Sequence, residues 1–286
     1  MNRTTSLFAI AAVLPFLATA GEARAADYGL APSTYDWSGG YVGLNGGMGF
    51  NMSSFKTGYH YAGTVEAQFA TPEATRGLGF GGDVSDSSFS GGALAGYNWQ
   101  YASFVIGMEG DFNYLALNGR ARHNVDGVLN DNVFGAANQV RGAYDTVDYQ
   151  GNWYGTLRAR LGYAFDNVLV YGTGGLAYGD LEVTENLAAT AGAGSTAESV
   201  DWSGKTQGWR FGWTLGGGME YGIDRWTLGL EYLYVDLGAY DWHALPVVSL
   251  AGDNSETAAA EWSQVKQNGT MDYRFGVARA SLKYRF

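Results

Sequence analysis

Residues 273–286 read YRFGVARASLKYRF and alternate in a way that leaves few options. One set is Gly276, Ala278, Ala280, Leu282, Tyr284 and Phe286, apolar and ending in two aromatics. The other is Val277, Arg279, Ser281, Lys283 and Arg285, mostly polar and basic. A period of two puts the sets on opposite faces of a strand. In a soluble half-buried strand the aromatic face would meet a core and the basic face water. In a strand that crosses a bilayer the addresses reverse, with lipid on the apolar face and a polar lumen on the basic one. Turning Arg279 or Lys283 toward lipid would cost about 2–4 kcal/mol each near the midplane, so the facing has one solution.

Residues 104–117, FVIGMEGDFNYLAL, repeat the pattern with the opposite charge. Phe104, Ile106, Met108, Phe112 and Tyr114 oppose Gly107, Glu109, Asp111 and Asn113. Two acids in mid-strand demand a polar interior. Comparable alternation marks residues 37–50, 91–101, 153–165, 209–221 and 226–234. Residues 168–183 form a further strand, too rich in Gly to show which side faces in. The expected fold is all-β: an eight-stranded antiparallel up-and-down transmembrane β-barrel. Its connections alternate between short turns (Ala102-Ser103, Asp166-Asn167, 222–225) and long segments (56–87, 118–148, 185–205, 236–272). That alternation suits short periplasmic turns and four long extracellular loops. A soluble lipocalin-like barrel would share the strand count but have an apolar lumen.

The N-terminus carries an address. Met1-Asn2-Arg3 is a basic start, residues 7–17 an apolar run, and Ala23-Arg24-Ala25 a small-residue cleavage pattern. The run is too short for the roughly 20 residues of a spanning helix and fits a cleaved secretory signal. The expected organisation is a signal peptide over 1–25, a periplasmic leader over 26–36 and the barrel over 37–286. Cys is absent, which removes disulfides, thiolate metal sites and lipid attachment through cysteine. The net charge of −11 argues against nucleic acid as a partner. The four long segments hold 17 acids and 7 bases, so most of the negative charge belongs to the extracellular rim. A solvated acidic rim is the plain interpretation, and a site for a divalent cation or a cationic partner the sharper one.

Inward positions bring together Glu109, Asp111, Glu220 and Glu231 with Arg158, Arg160, Arg279 and Lys283. Eight strands enclose only enough room for side chains, so these charges are expected to pair and plug the lumen. A gate for small ions is the alternative use of the same charges. Trp37, Trp99, Trp153 and Trp226 lie near strand ends and suit the aromatic girdles at the two membrane interfaces. The segment Gly172-Thr173-Gly174-Gly175 mimics a dinucleotide fingerprint, but no amphipathic helix follows to hold a phosphate. His60, His123 and His243 all fall in the long segments, away from any rigid nucleophile, so catalysis is not expected. They remain candidate loop ligands for haem or a metal, while the strands themselves call for neither metal nor cofactor.

The opening DWSGGYVGLNGGMGF, the segment GTGGLAYG and the ending ARASLKYRF resemble small outer-membrane proteins of the OmpA/OmpX/opacity-protein barrel class. The chain is most similar to alphaproteobacterial surface proteins of the "porin family". This resemblance implies a cell outer-membrane location in a Gram-negative bacterium and a surface role in envelope integrity. It implies outer-membrane lipid and lipopolysaccharide as surroundings and the outer-membrane assembly machinery as a partner. Tyr284 and Phe286 would be the key positions of the assembly signal. The chain is expected to be a monomer and not an enzyme. A narrow porin-like channel, or a surface receptor for haem or a host molecule, are the alternatives that the same family allows.

Overall fold

The computed structural model describes residues 35–61, 78–126, 143–191, 198–244, 246–249, 260 and 262–286. The expected signal peptide, and the leader as far as residue 34, lie outside the described residues. The strands are β1 (Gly39–Asn51), β2 (Ser53–Tyr61), β3 (Gly81–Val84), β4 (Ser87–Tyr101), β5 (Phe104–Asn124) and β6 (Tyr144–Phe165). They continue with β7 (Val168–Ala191), β8 (Glu198–Ile223), β9 (Trp226–Ala244), β10 (Pro246–Ser249) and β11 (Val265–Arg285). Sequential antiparallel pairing runs β1-β4-β5-β6-β7-β8-β9-β11, and β11 pairs back to β1 from Tyr41↔Arg285 to Asn51↔Phe275. This is a closed ring of eight strands. β2 prolongs β1 along β11, β3 leads into β4, and β10 follows β9, so the short strands extend the wall and add no stave.

Alternation decides the facing as expected. Leu44, Ile106, Leu161, Leu176, Leu215, Leu230 and Leu282 are exposed on the outside, whereas Tyr41, Glu109, Arg160, Thr173, Glu220 and Lys283 are buried inside. The Gly-rich β7 resolves with Leu169, Tyr171, Thr173 and Ala177 inward and Val170 and Leu176 outward. Along β5 the outward series is apolar from Phe104 to Tyr114, then switches to Asn118, Arg120, Arg122 and Asn124. The apolar part is about 9–11 residues, the length a tilted strand needs to cross the hydrocarbon. The switch marks where the wall leaves it.

The strands do not stop there, and this corrects the reading of residues 118–148 and 185–205 as loops. β5 runs to Asn124, β6 begins at Tyr144, β7 reaches Ala191 and β8 begins at Glu198. Residues 56–87 and 236–272 likewise contribute β2, β3, the end of β9, β10 and the start of β11. Above the membrane the polarity is that of a soluble barrel, with polar residues outside and apolar residues inside. Two irregularities keep the inward set in phase. In β6 the register shifts between Gln150 and Tyr154, and inward positions change from even (Tyr154, Thr156, Arg158) to odd (Tyr149, Val147, Asp145). The Asp180 carboxylate accepts the backbone N–H groups of Asn152 (3.1 Å) and Trp153 (3.0 Å) that this bulge takes out of the ladder. In β9 the change comes at Gly238, whose φ of 78° suits glycine and whose N–H bonds the Asp236 carboxylate at 2.8 Å. β8 and β9 stop pairing above Trp213↔Asp236. Tyr240 fills that seam, 3.2 Å from the Thr206 hydroxyl and beneath the Arg210 guanidinium.

Candidate functional site

The barrel interior is built in layers. At the periplasmic end Trp37 packs with Val105, Ala164, Leu169 and Tyr171, with Tyr35 against them. The indole of Trp37 donates to the Asp166 carbonyl (3.1 Å), its backbone N–H donates to Gln100 (2.6 Å), and the Arg285 guanidinium lies over the ring of Tyr35. Trp37 is fully buried. The expectation that it belongs to an aromatic girdle is therefore corrected: the chain folds inward before β1, and Trp37 closes the mouth instead of facing lipid.

Next comes the charge layer. Arg158 contacts Glu109 (2.5 Å), Asp111 (3.0 Å) and Glu231 (2.7 Å) at once. Arg279 bridges Asp111 (2.8 Å) and Glu231 (2.6 Å). Arg160 joins Glu109 (3.2 Å) to Glu220, and Lys283 joins the same two acids at 2.5 and 2.9 Å. Each charged side chain of this layer is almost wholly removed from solvent. Their positions follow from register: Glu109 sits opposite Arg158, and Arg279 opposite Glu231. The eight lumen charges read from the sequence thus meet in one network whose acids and bases balance. The Tyr41 hydroxyl donates to Glu109 (2.9 Å) and accepts from Arg160 (2.8 Å), and the Tyr171 hydroxyl donates to Glu231 (3.1 Å). Sequence reasoning did not single out these two tyrosines. Tyr41 alternates with the outward Val42 and Leu44 of its strand, while Tyr171 lies in the strand whose facing the sequence leaves open.

Above the charges the lumen is apolar, filled by Leu115, Leu117, Tyr154, Leu233, Val235, Phe275 and Val277 among others. Outside, Trp99 and Trp226 are half-exposed near the periplasmic turns, beside Tyr97 (4.7 Å between ring centres) and Tyr284 (5.1 Å). Trp153 lies on the opposite belt, with Trp209 at 4.5 Å and Phe112 at 5.4 Å. Tyr284 packs edge-on to Phe286 at 5.7 Å, and the Phe286 N–H bonds the Gly40 carbonyl across the β1–β11 closure.

The histidines are on strands, not loops, which corrects their expected setting. His60 (β2) and His243 (β9) flank Asn268 (β11), each through Nδ1, at 2.9 and 2.8 Å. His123 (β5) stands apart from them, stacked on Phe80 at 5.3 Å. Among the described residues no cluster of three or more His, Cys, Asp or Glu side chains could hold a metal.

The family described as the outer membrane protein beta-barrel domain matches residues 9–286. The chain belongs to this family. Among its relatives, the 31 kDa outer-membrane immunogenic protein of Brucella melitensis biotype 1 is 38% identical over 208 residues, covering 72% of this chain and 73% of that one. The 22 kDa outer membrane protein of Rhizobium leguminosarum bv. viciae is 31% identical over 183 residues, 63% of this chain and 68% of that one. The crystal structure of OprG from Pseudomonas aeruginosa aligns over 90% of this chain and 99% of that one, with a TM-score of 0.42 at 12% identity. The protein is thus an outer-membrane β-barrel of a Gram-negative type.

Proposed function

We propose that this protein is a non-conducting surface barrel that supports the integrity of the outer membrane. The observation that carries the reading is the balanced layer of four acids and four bases that spans the lumen at membrane depth. Such a layer binds opposite walls of the barrel together and leaves no continuous water path. A buried pair broken on one side costs about 3–5 kcal/mol, so the plug resists opening. The aromatic belts suit contact with lipid and lipopolysaccharide, and the chain acts as a monomer. Tyr284 and Phe286 are the positions the assembly machinery would read.

A strain lacking the gene should lose resistance to detergent and EDTA and regain it with the wild-type gene. Unchanged resistance in the deletion strain would overturn the role. The purified barrel should be silent in planar bilayers; conductance steps that change with Glu109→Gln would replace this reading with a narrow channel. A second reading is favoured by the convergence of His60 and His243 on Asn268: a surface receptor for haem or another metal-bearing ligand. It predicts saturable haem binding that a His60→Ala/His243→Ala double variant abolishes, and equal binding by both proteins would dismiss it.

A further inference from the structure

One buried polar group of side chains is left unused by the plug. It lies in the part of the barrel that stands clear of lipid. Asp145 is eight residues beyond Trp153 along β6, roughly 25 Å at the usual rise of a strand. Its carboxylate accepts from the Tyr59 hydroxyl at 3.0 Å. The same hydroxyl is 3.5 Å from Glu185 and receives an N–H from Gln267 at 2.8 Å. The Trp242 indole donates to the other oxygen of Glu185. Asp145, Glu185 and Gln267 are all 0% exposed. Trp202 covers the group from above, 5.2 Å from the Tyr59 ring, and Trp262 packs on Trp202 at 6.0 Å. Below it lie Val147, Val183 and Met271 of the apolar core.

The charge layer balances acid with base, but this group does not. Among the described residues neither Asp145 nor Glu185 is ion-paired with Lys, Arg or His. Five strands besides β6 and β7 face the pair. β2 gives Tyr59, β5 gives His123 in register with Asp145, β8 gives Trp202, β9 gives Trp242 and β11 gives Gln267. Among the described residues that face the pair, His123 is the basic side chain, and its ring stacks on Phe80. Two ionised carboxylates sealed together without a counter-charge are not tenable in so dry a setting. Among the described residues one oxygen of Asp145 has no partner while its twin is bonded, as expected of a carboxyl group awaiting a hydrogen. The donors that reach the pair are the Tyr59 hydroxyl, the Trp242 indole, the Gln267 amide and the Thr146 backbone N–H, and all of them are neutral.

We propose that Asp145 and Glu185 share one proton and act as a pH-sensitive latch on the extracellular half of the barrel. The shared proton joins β6 to β7, and Tyr59, Gln267 and Trp242 tie that pair to β2, β11 and β9 across the lumen. Losing it leaves two like charges face to face beneath Trp202, and the outer mouth loosens. Burial, with Glu185 beside it, pushes the Asp145 carboxyl up to about 8, and burial raises Glu185 as well. The sign follows from linkage. A carboxyl whose folded value lies above its unfolded value of about 3.9 binds its proton better when folded. Its contribution to stability is therefore fullest below about pH 4, declines as pH rises, and levels off above about pH 8.

The test uses the full barrel refolded in detergent. Thermal midpoints of the wild type should fall between about pH 5 and about pH 9 more steeply than those of Asp145→Asn or Glu185→Gln. Infrared spectra in D2O near pH 6 should show a protonated carboxyl band that fades at alkaline pH and is missing from both variants. Identical pH slopes in all three proteins, or no such band in the wild type, would overturn the latch. Calcium chloride supplies the other arm: a wild-type midpoint raised by calcium and lowered by EDTA, with both variants indifferent, would mean a metal ion in place of the proton. If Asp145→Asn fails to refold, Glu185→Gln and the wild-type spectrum still decide.

Discussion

Arg158 holds three carboxylates with one guanidinium. Replacing it with Leu leaves Glu109, Asp111 and Glu231 short of positive charge in a sealed lumen. We expect Arg158→Leu to lose about 3–5 kcal/mol, measured as the urea midpoint of the barrel refolded in lipid vesicles. Adding Glu231→Gln and Asp111→Asn should recover part of that loss, because fewer charges remain unpaired. At this scale the sequence was legible where polarity alternates sharply. Glu109 and Arg158 stand among apolar neighbours with a period of two, and only one facing keeps them from lipid. Trp37 was not legible. It precedes β1, where periodicity has no hold, and its burial depends on Gln100 of β4, Asp166 of a turn and Arg285 of β11.

Single strands carry two further expectations. Asp180 satisfies two backbone N–H groups at the β6 bulge, so Asp180→Ala strands both. A loss of about 1–3 kcal/mol should appear in the same vesicle assay, with faster hydrogen exchange at Asn152 and Trp153. Ala102 sits in the first short turn at φ 52°, a conformation that costs a side-chain-bearing residue about 1–2 kcal/mol. Ala102→Gly should therefore leave stability unchanged or raise it by up to about 1 kcal/mol, since added freedom in the unfolded chain offsets part of the relief. The ends of the strands were hidden for a physical reason. Beyond Tyr114 the outward residues become Asn118, Arg120 and Arg122, while Leu117 and Ala121 stay inside, as in a soluble barrel. A search for apolar residues outside ends at that boundary. The bulge at Asn152 conceals the continuation further, because it moves the inward set of β6 from even to odd positions.

The whole molecule combines two barrels in one wall, a membrane one with charges inside and a water-facing one with apolar residues inside. Closure joins β1 to β11 across nearly the entire described chain, with Tyr41 beside Arg285. Folding thus waits on the most distant contact, and refolding into vesicles should be slow and cooperative. Tryptophan fluorescence and the appearance of an SDS-resistant, heat-modifiable form should follow a single time course; two separated phases would mean that the halves form independently. Chain order, the facing of the strands other than β7 and the charge layer could be read beforehand because lipid enforces them. The upper core and the pair Asp145–Glu185 could not, because water on the outside enforces only a weaker contrast.

The stacked filling of the lumen has a consequence for how such a barrel could leak. On the proposed non-conducting reading, Trp37, the salt-bridged ring, the aliphatic stretch and the tryptophan roof act as stoppers in series, and permeation would be governed by whichever is tightest. Knocking out any one leaves the other three in place. A porous form would then need simultaneous damage at separate heights, so on that reading single-residue changes would weaken this protein long before they perforate the cell.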